Sequence, residues 1–326
     1  MVIILTFIGL LLLITAAAAL LSYGAEMFAE KFGVNFTGSI VLALITTLPE
    51  YLFVIWASLK GQYAMAIGSA VGACSLLVTL GYGMVILLAT SKLSKKPVKI
   101  IHLSENTKVD ALYLLITAVI AFALAIEGGN SYDLKDSIIL VGLFFIYMYH
   151  IATIAIKFYK EAQKKAEGEY ENVNLLKSII FLLVGGIIIF LCSEPFVDSM
   201  IEFAHVVGIS PVIIAILLGP IASEMPEKIT AYITVLRNGE LAEISISNFI
   251  GSKVNHNSLL LGTIGLVALY KGSGIVHGII TPSFIYMTIL TVFATISLAR
   301  GKLARWQGWV FVGFYFGTVI LAFLNH

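Results

Sequence analysis

A succession of long apolar stretches constrains this chain more than any other feature. Ten of them approach or exceed the length of about 20 apolar residues that a helix needs to cross a bilayer. They cover approximately residues 2–22, 34–59, 64–90, 109–126, 136–156, 176–193, 209–236, 242–270, 274–298 and 304–324. Charged residues make up only 12% of the chain, against about 25% in a soluble domain. The sequence therefore predicts an all-α polytopic membrane protein, with the lipid bilayer as its first partner.

The connections between these stretches differ in their content of Lys and Arg. The connections after the first, third, fifth, seventh and ninth stretches hold 15 such residues, and those on the opposite side hold 3. Because positively charged connections stay in the cytoplasm, we predict that both termini are extracytoplasmic, in a protein of the cell membrane. The formal net charge of +1 gives no indication of a nucleic-acid partner.

A short motif occurs twice along the chain. "TTLPE" at residues 46–50 matches "SEMPE" at 223–227, and "IGSAVGAC" at 67–74 matches "ISNFIGSK" at 246–253, which aligns Gly72 with Gly251. Each copy belongs to a set of five stretches, and because five is an odd number the second set enters the bilayer from the opposite side. This predicts ten transmembrane helices arranged as two inverted-topology five-helix repeats, which place a transport site near the midplane.

The predicted organisation has two repeats and one connection. The first repeat covers residues 1–157 with its motif at 38–81, a mixed-charge cytoplasmic linker covers 158–175, and the second repeat covers 176–326 with its motif at 211–265.

In both copies of the motif a glutamate follows a proline inside an apolar stretch. Pro49 and Pro226 lack a backbone N–H, so we predict a helix bend at each. A carboxylate at this depth costs about 3 kcal/mol on insertion scales and marks a functional site. Together with hydroxyl groups and released carbonyls, Glu50 and Glu227 form an oxygen set suited to Ca²⁺ or Na⁺. A structural pair bonded to backbone donors is the alternative interpretation.

Further polar residues complete the predicted site. In the eighth stretch, four of them recur at helical spacing and share one face: Ser245, Asn248, Ser252 and Asn255. The candidate cation ligands are Glu50, Glu227, Thr46, Thr47, Ser223, Ser252 and Glu224, and the candidates for further polar lining are Ser69, Asn248 and Asn255.

Two nitrogen-bearing side chains follow the second motif. Lys253 inside a helix is too costly to leave unpaired, so we predict either a salt bridge with Glu224 or a role as a tethered cation. His256 is either a hydrogen-bonded core residue or, with Glu224, a group that couples transport to protons.

The paired motifs resemble those of the calcium/cation antiporter superfamily, and look closest to its prokaryotic sodium/calcium exchanger-like members. The matching residues are Thr46, Thr47, Leu48, Pro49 and Glu50 in the first copy, and Ser223, Met225, Pro226, Glu227, Asn248, Gly251 and Ser252 in the second. The resemblance implies ten helices, no cofactor, and exchange of Ca²⁺ or a related cation for Na⁺, H⁺ or K⁺.

This chain departs from the family pattern at two positions of the candidate site. Leu77 stands where the family has an amide in the third helix, and His256 stands where it has an acid or an amide in the eighth. Fewer oxygen ligands remain for Na⁺. Between H⁺ and Na⁺ as the counter-ion, the substitutions therefore favour H⁺.

The sequence gives less support to other classes of function. The chain contains neither the H-E-x-x-H sequence of a metalloprotease nor a P-loop for ATP, so we do not expect an enzyme. A cation channel using the same glutamates, or a non-transporting membrane scaffold or sensor, remains an alternative. The sequence carries no signal for an oligomeric state.

Overall fold

The computed structural model describes residues 2–32, 45–163 and 175–324, most of which are helical. The helices of the first half are α1 (Val2–Phe32), α2 (Leu48–Leu59), α3 (Tyr63–Leu76), α4 (Tyr82–Ala89), α5 (Glu105–Glu127) and α6 (Leu134–Gln163). Those of the second half are α7 (Leu175–Val207), α8 (Pro211–Leu217), α9 (Gly219–Arg237), α10 (Ala242–Asn255), α11 (Leu261–Tyr270), α12 (Pro282–Ala299) and α13 (Arg305–Leu324). Four short strands lie in the connections: β1 (Ile100–His102), β2 (Ser131–Tyr132), β3 (Val276–His277) and β4 (Lys302–Ala304).

Ten crossings are present, as the sequence predicts, but four of them are composite or short, including the third, which combines α3 and α4. Seven uninterrupted segments of the described chain are long and apolar enough to cross a membrane by themselves, with α3 and α4 counted as one. The second crossing ends in the short α2, the seventh combines α8 and α9, and the eighth combines α10 and α11. Residues 34–44, the first part of the second predicted stretch, lie outside the described residues.

The interruptions of the second and seventh crossings lie at Thr47 and Leu218. Thr47 forms a turn before α2, so Pro49 lies in the first helical turn, where its missing N–H has no helical partner to lose. In the second half, α9 begins at Gly219 with Pro220 in its first turn, and it continues through Pro226. The seventh crossing is thus broken at Leu218, before Pro220, and the bend predicted at Pro226 stays a prediction.

Two antiparallel strand pairs show how the halves are related. In one pair Ile101 of β1 lies opposite Leu303 of β4, and in the other Ser131 of β2 lies opposite His277 of β3. The first pair joins the connections after the third and ninth crossings, and the second joins those after the fourth and eighth. The pairs therefore lie on opposite sides of the bilayer, and exchanging the two halves converts one pair into the other, as an inverted repeat requires.

The third crossing of each half contains a π-helical turn. These turns occupy Leu77–Gly81 and His256–Leu260 and have the same separation along the chain as Gly72 and Gly251. Since π-helical turns are rare and occur frequently at functional sites, the matching pair points to a common backbone design near the site.

The predicted linker at 158–175 falls mostly outside the described residues. Helix α6 continues to Gln163 and α7 begins at Leu175, so helix overlaps both ends of the predicted segment. The repeat boundaries, the extracytoplasmic position of both termini and the location in the cell membrane stay predictions.

Helices α3 and α8 approach each other closely at a contact between the two halves. A Cβ atom added to Gly72 would lie 2.2 Å from the carbonyl oxygen of Ile216, and one added to Gly68 would lie 2.9 Å from Val212 Cγ1. Small residues permit helix backbones to pack this tightly within a membrane. Since α8 leads directly into α9, this contact fixes α9 relative to the first half.

We expect Gly72→Ala to destabilise the protein, because the new methyl group would force α3 and α8 apart, and overpacking of this kind costs about 1–3 kcal/mol. The matched control is Gly142→Ala on α6, where an added Cβ meets nothing within 4 Å. Thermal unfolding of both purified variants in detergent measures the effect. Equal unfolding midpoints for the two variants would contradict the importance of the close approach.

Candidate cation site

Three buried glutamates come together where α2 and α9 meet. Glu50 lies in the first turn of α2, and Glu224 and Glu227 lie in α9; their exposed fractions are 2%, 3% and 8%. Because α2 begins at Leu48, the Glu50 carboxylate lies near a helix N-terminus, where the helix dipole favours negative charge. The two copies of the motif thus contribute acidic groups to one buried region.

Glu224 is paired with a lysine on its own helix. Lys228 Nζ lies 2.5 Å from Glu224 Oε2, and both side chains are buried. The spacing of four residues puts them on one face of α9. The predicted salt bridge between Glu224 and Lys253 is therefore wrong, since Lys228 reaches the carboxylate from one helical turn away.

Lys253 is fully buried on α10 and contacts the first half of the chain. Its ammonium group donates a hydrogen bond to the carbonyl of Cys74 on α3, at 3.4 Å. No carboxylate in the described ranges lies within 4.0 Å of this ammonium. Cys74 also donates from its thiol to Asn257 Oδ1, at 3.3 Å. Lys253 therefore connects α10 to α3, and its role as a tethered cation stays a prediction.

Two members of the polar stripe on α10 reach across the site. Asn248 Nδ2 donates to Glu227 Oε1 at 2.7 Å. Asn255 Nδ2 donates to Thr47 Oγ1 at 2.9 Å, and Asn255 Oδ1 accepts from the Tyr51 hydroxyl. These bonds tie α10 both to α9 and to the break that precedes α2, so the amides hold the two motif copies in place.

The hydroxyl-bearing residues of the predicted ligand set are buried but differ in their bonding. The Ser223 hydroxyl donates to a backbone carbonyl one turn earlier, at 3.2 Å. The Ser252 hydroxyl has no hydrogen-bond partner among the described residues. Thr46 is 5% exposed and lies just before the break, and Ser69 lines the same small cavity as Ser223 and Glu50.

The surroundings of Glu50 leave its carboxylate unsatisfied. Both oxygens are buried, and neither has a hydrogen-bond partner in the part of the chain that the structure describes. A small cavity of about 10 Å³ lies beside it, close to the space that one water molecule needs. A buried ionised carboxylate without partners is strongly unfavourable. Glu50 therefore requires a proton or a cation.

His256 presents a ring nitrogen to Glu224. Its Nδ1 lies 2.5 Å from the carbonyl oxygen of Ser252, which only accepts, so we assign the hydrogen to Nδ1. In the neutral ring, Nε2 then directs a lone pair towards Glu224 Oε1, 3.1 Å away. Two acceptors at this separation need a positive centre between them, either a proton or a metal ion.

The structure brings together a different set of candidate ligands from the pair of glutamates that the sequence favours as main ligands. Ligand atoms of Glu50, Glu224 and His256 all lie within 4.8 Å of one another. Glu227, one of the two predicted main ligands, is not part of this trio and is bonded to Asn248 instead.

Sequence reasoning gave no site role to Lys228 or Tyr51. The signal for Lys228 was available, because it follows Glu224 by four residues inside an apolar stretch. Tyr51 gave no comparable signal, because its partner Asn255 lies in the other half of the chain.

Comparison with known sequences identifies relatives along almost the whole chain. The profile of the family described as sodium/calcium exchanger protein matches residues 2–153 and 177–324. The uncharacterized membrane protein MJ0091 of Methanocaldococcus jannaschii is 27% identical over 297 residues, a match that covers 90% of this chain and 88% of that protein.

Two solved structures share the fold. The H⁺/Ca²⁺ exchanger CAX superposes with a TM-score of 0.79 at 22% identity, over 99% of this chain and 84% of that one. The sodium–calcium exchanger NCX_Mj superposes with a TM-score of 0.68 at 22% identity, over 98% of both chains. The described architecture is thus that of a ten-helix membrane protein with two inverted five-helix repeats.

We expect Lys228→Met to lower the thermal unfolding midpoint strongly, because removing one partner of a buried ion pair typically costs about 3–5 kcal/mol. The double variant Glu224→Gln with Lys228→Met removes both charges and should recover part of the loss. The matched control is Lys108→Met, which breaks the more exposed pair with Glu105 and should cost at most about 1 kcal/mol. Similar midpoints for Lys228→Met and Lys108→Met would contradict the assigned pairing.

Proposed function

The chain belongs to the sodium/calcium exchanger protein family, and we propose that it is a secondary active cation antiporter. It exports Ca²⁺ or a related cation in exchange for H⁺ or Na⁺, by alternating access to the buried carboxylates. The observation that carries the proposal is the state of Glu50, a buried carboxylate with two unpartnered oxygens at the junction of the two halves. Such a carboxylate needs a proton or a cation beside it. In an antiporter, that positive charge enters and leaves the site.

The closed form of the site supports antiport rather than conduction. The three glutamates are at most 8% exposed, and the cavity beside Glu50 has a volume of only about 10 Å³. Inverted repeats with interrupted helices place a buried site between two moving halves, as alternating access requires. A channel needs a continuous water-filled path instead.

The charges around Glu50 support H⁺ over Na⁺ as the counter-ion. Lys228 is bound to one oxygen of Glu224, and Asn248 is bound to one oxygen of Glu227. These contacts leave fewer free oxygens for a bound Na⁺. A proton requires no set of oxygen ligands.

We expect Glu50→Gln and Glu227→Gln each to reduce Ca²⁺ flux below detection, because each removes a negative charge at nearly constant shape. Expression and the unfolding midpoint should be retained. The matched control is Glu202→Gln, which changes an exposed glutamate on α7 and should leave flux unchanged. Flux into proteoliposomes measures the outcome, and full flux in both site variants would refute the assignment.

We expect an imposed pH gradient to drive Ca²⁺ uptake into proteoliposomes in the absence of Na⁺. The complementary measurement applies a Na⁺ gradient at uniform pH. Uptake driven only by the Na⁺ gradient would show that H⁺ is not the counter-ion. Uptake that needs neither gradient would indicate a channel, and no uptake of any tested cation would indicate a scaffold or sensor.

A further inference from the structure

Three buried side chains of the candidate site offer a mixed nitrogen and oxygen set of ligand atoms. These atoms come from His256, Glu50 and Glu224, which lie on the eighth, second and seventh crossings, and they lie within 4.8 Å of one another. An imidazole nitrogen suits transition-metal ions, whereas Ca²⁺ prefers six to eight oxygen ligands. The composition of this set therefore bears on which dication the site selects.

We propose that the exchanged dication is a late first-row transition-metal ion such as Zn²⁺ or Co²⁺, bound by His256 Nε2 and by one oxygen from each of Glu50 and Glu224. This inference rests on the proposed antiport function and specifies its substrate class.

The separation of His256 and Glu224 allows the two side chains to share one ion. Nε2 and Oε1 are 3.1 Å apart, which fits two atoms that each lie about 2.0–2.2 Å from a common zinc ion. The Glu50 oxygen lies within 4.8 Å of both atoms.

The groups behind these ligands orient them for metal binding. His256 Nδ1 donates to the Ser252 carbonyl, the arrangement that metal-binding histidines typically use to fix the ring and keep the other nitrogen available. Lys228 holds Oε2 of Glu224, so Oε1 is the oxygen that remains for an ion. The His256 ring and the Glu224 carboxylate therefore have fixed directions before the ion arrives.

Buried atoms without hydrogen-bond partners occur at the proposed ligand Glu50 and at Ser252, one helical turn before His256. Both Glu50 oxygens and the Ser252 hydroxyl are buried without a hydrogen-bond partner among the described residues, although their side chains are 2% and 0% exposed. Buried polar atoms are normally satisfied.

The charge of the site also disfavours Ca²⁺ relative to a transition metal. Lys228 offsets the charge of Glu224, so the trio offers less net negative charge than three carboxylates would. Affinity for Ca²⁺ depends on ligand charge and oxygen count. Imidazole suits late transition metals, for which the affinity of a given nitrogen and oxygen site rises along the series towards Cu²⁺.

Binding is tested on the purified full chain with Co²⁺ as the probe, by its visible absorption spectrum. We expect one tightly bound equivalent, with affinity reduced at least tenfold by His256→Gln. The matched control is His205→Gln, an exposed histidine on α7, which should bind Co²⁺ as the unmodified chain does. Should His256→Gln fail to fold, X-ray absorption of the unmodified chain with one equivalent of Zn²⁺ provides a second measurement, in which imidazole scattering is expected and its absence would overturn the assignment of His256.

Selectivity is tested in proteoliposomes loaded with metal-sensitive dyes, with Zn²⁺, Co²⁺ and Ca²⁺ supplied separately under the same driving gradient. We expect Zn²⁺ and Co²⁺ uptake at concentrations at least tenfold below those that Ca²⁺ requires, with His256→Gln reducing that preference. Ca²⁺ uptake that Zn²⁺ and Co²⁺ neither replace nor inhibit would overturn this inference and leave the antiport function intact. Co²⁺ binding through His256 without transport of any cation would instead overturn the antiport function, and with it the substrate assignment.

Discussion

The ion pair between Glu224 and Lys228 lies fully buried inside α9, with 2.5 Å between its charged atoms. Because an isolated charge is costly in this environment, the carboxylate depends on that ammonium group and is held in one orientation. Its second oxygen is thereby directed at His256. Glu50 and Glu227 have no cationic partner within 4.0 Å in the described ranges, because Glu50 is unpartnered and Glu227 is bonded to the neutral Asn248 amide, so the uncompensated charge of the site resides on these two residues.

The two halves repeat the broken helix of the site, but they give its glutamates different partners. Glu50 follows a break at Thr47 and lies at the start of a helix, but Glu227 lies well inside α9, because the second break occurs at Leu218. Glu227 is consequently within reach of Asn248 on the neighbouring α10. An inverted repeat thus supplies two equivalent acids to one place, and the positions of the helix breaks give them different partners.

The sequence predicted the elements of the fold better than the contacts of the site. Apolar stretch lengths and the repeated Pro-Glu pair were sufficient for ten helices in two inverted halves, since the bilayer permits few alternatives. Helical spacing identified the polar face that contains Asn248 and Asn255, but it does not give distances between helices. Of the two interpretations of Lys253, the salt bridge with Glu224 was therefore wrong. The bond between Asn255 and Thr47, which joins distant parts of the chain, was not foreseen.

The two π-helical turns have the same backbone conformation but carry different side chains. They begin at Leu77 in the first half and at His256 in the second, and both of these residues are buried. The same backbone irregularity therefore carries an apolar side chain in one half and a potential metal ligand in the other. The two halves therefore differ in side-chain chemistry at equivalent positions of the same backbone path. Ion selectivity in this architecture is consequently a property of a few side chains, and similarity of fold leaves it undetermined.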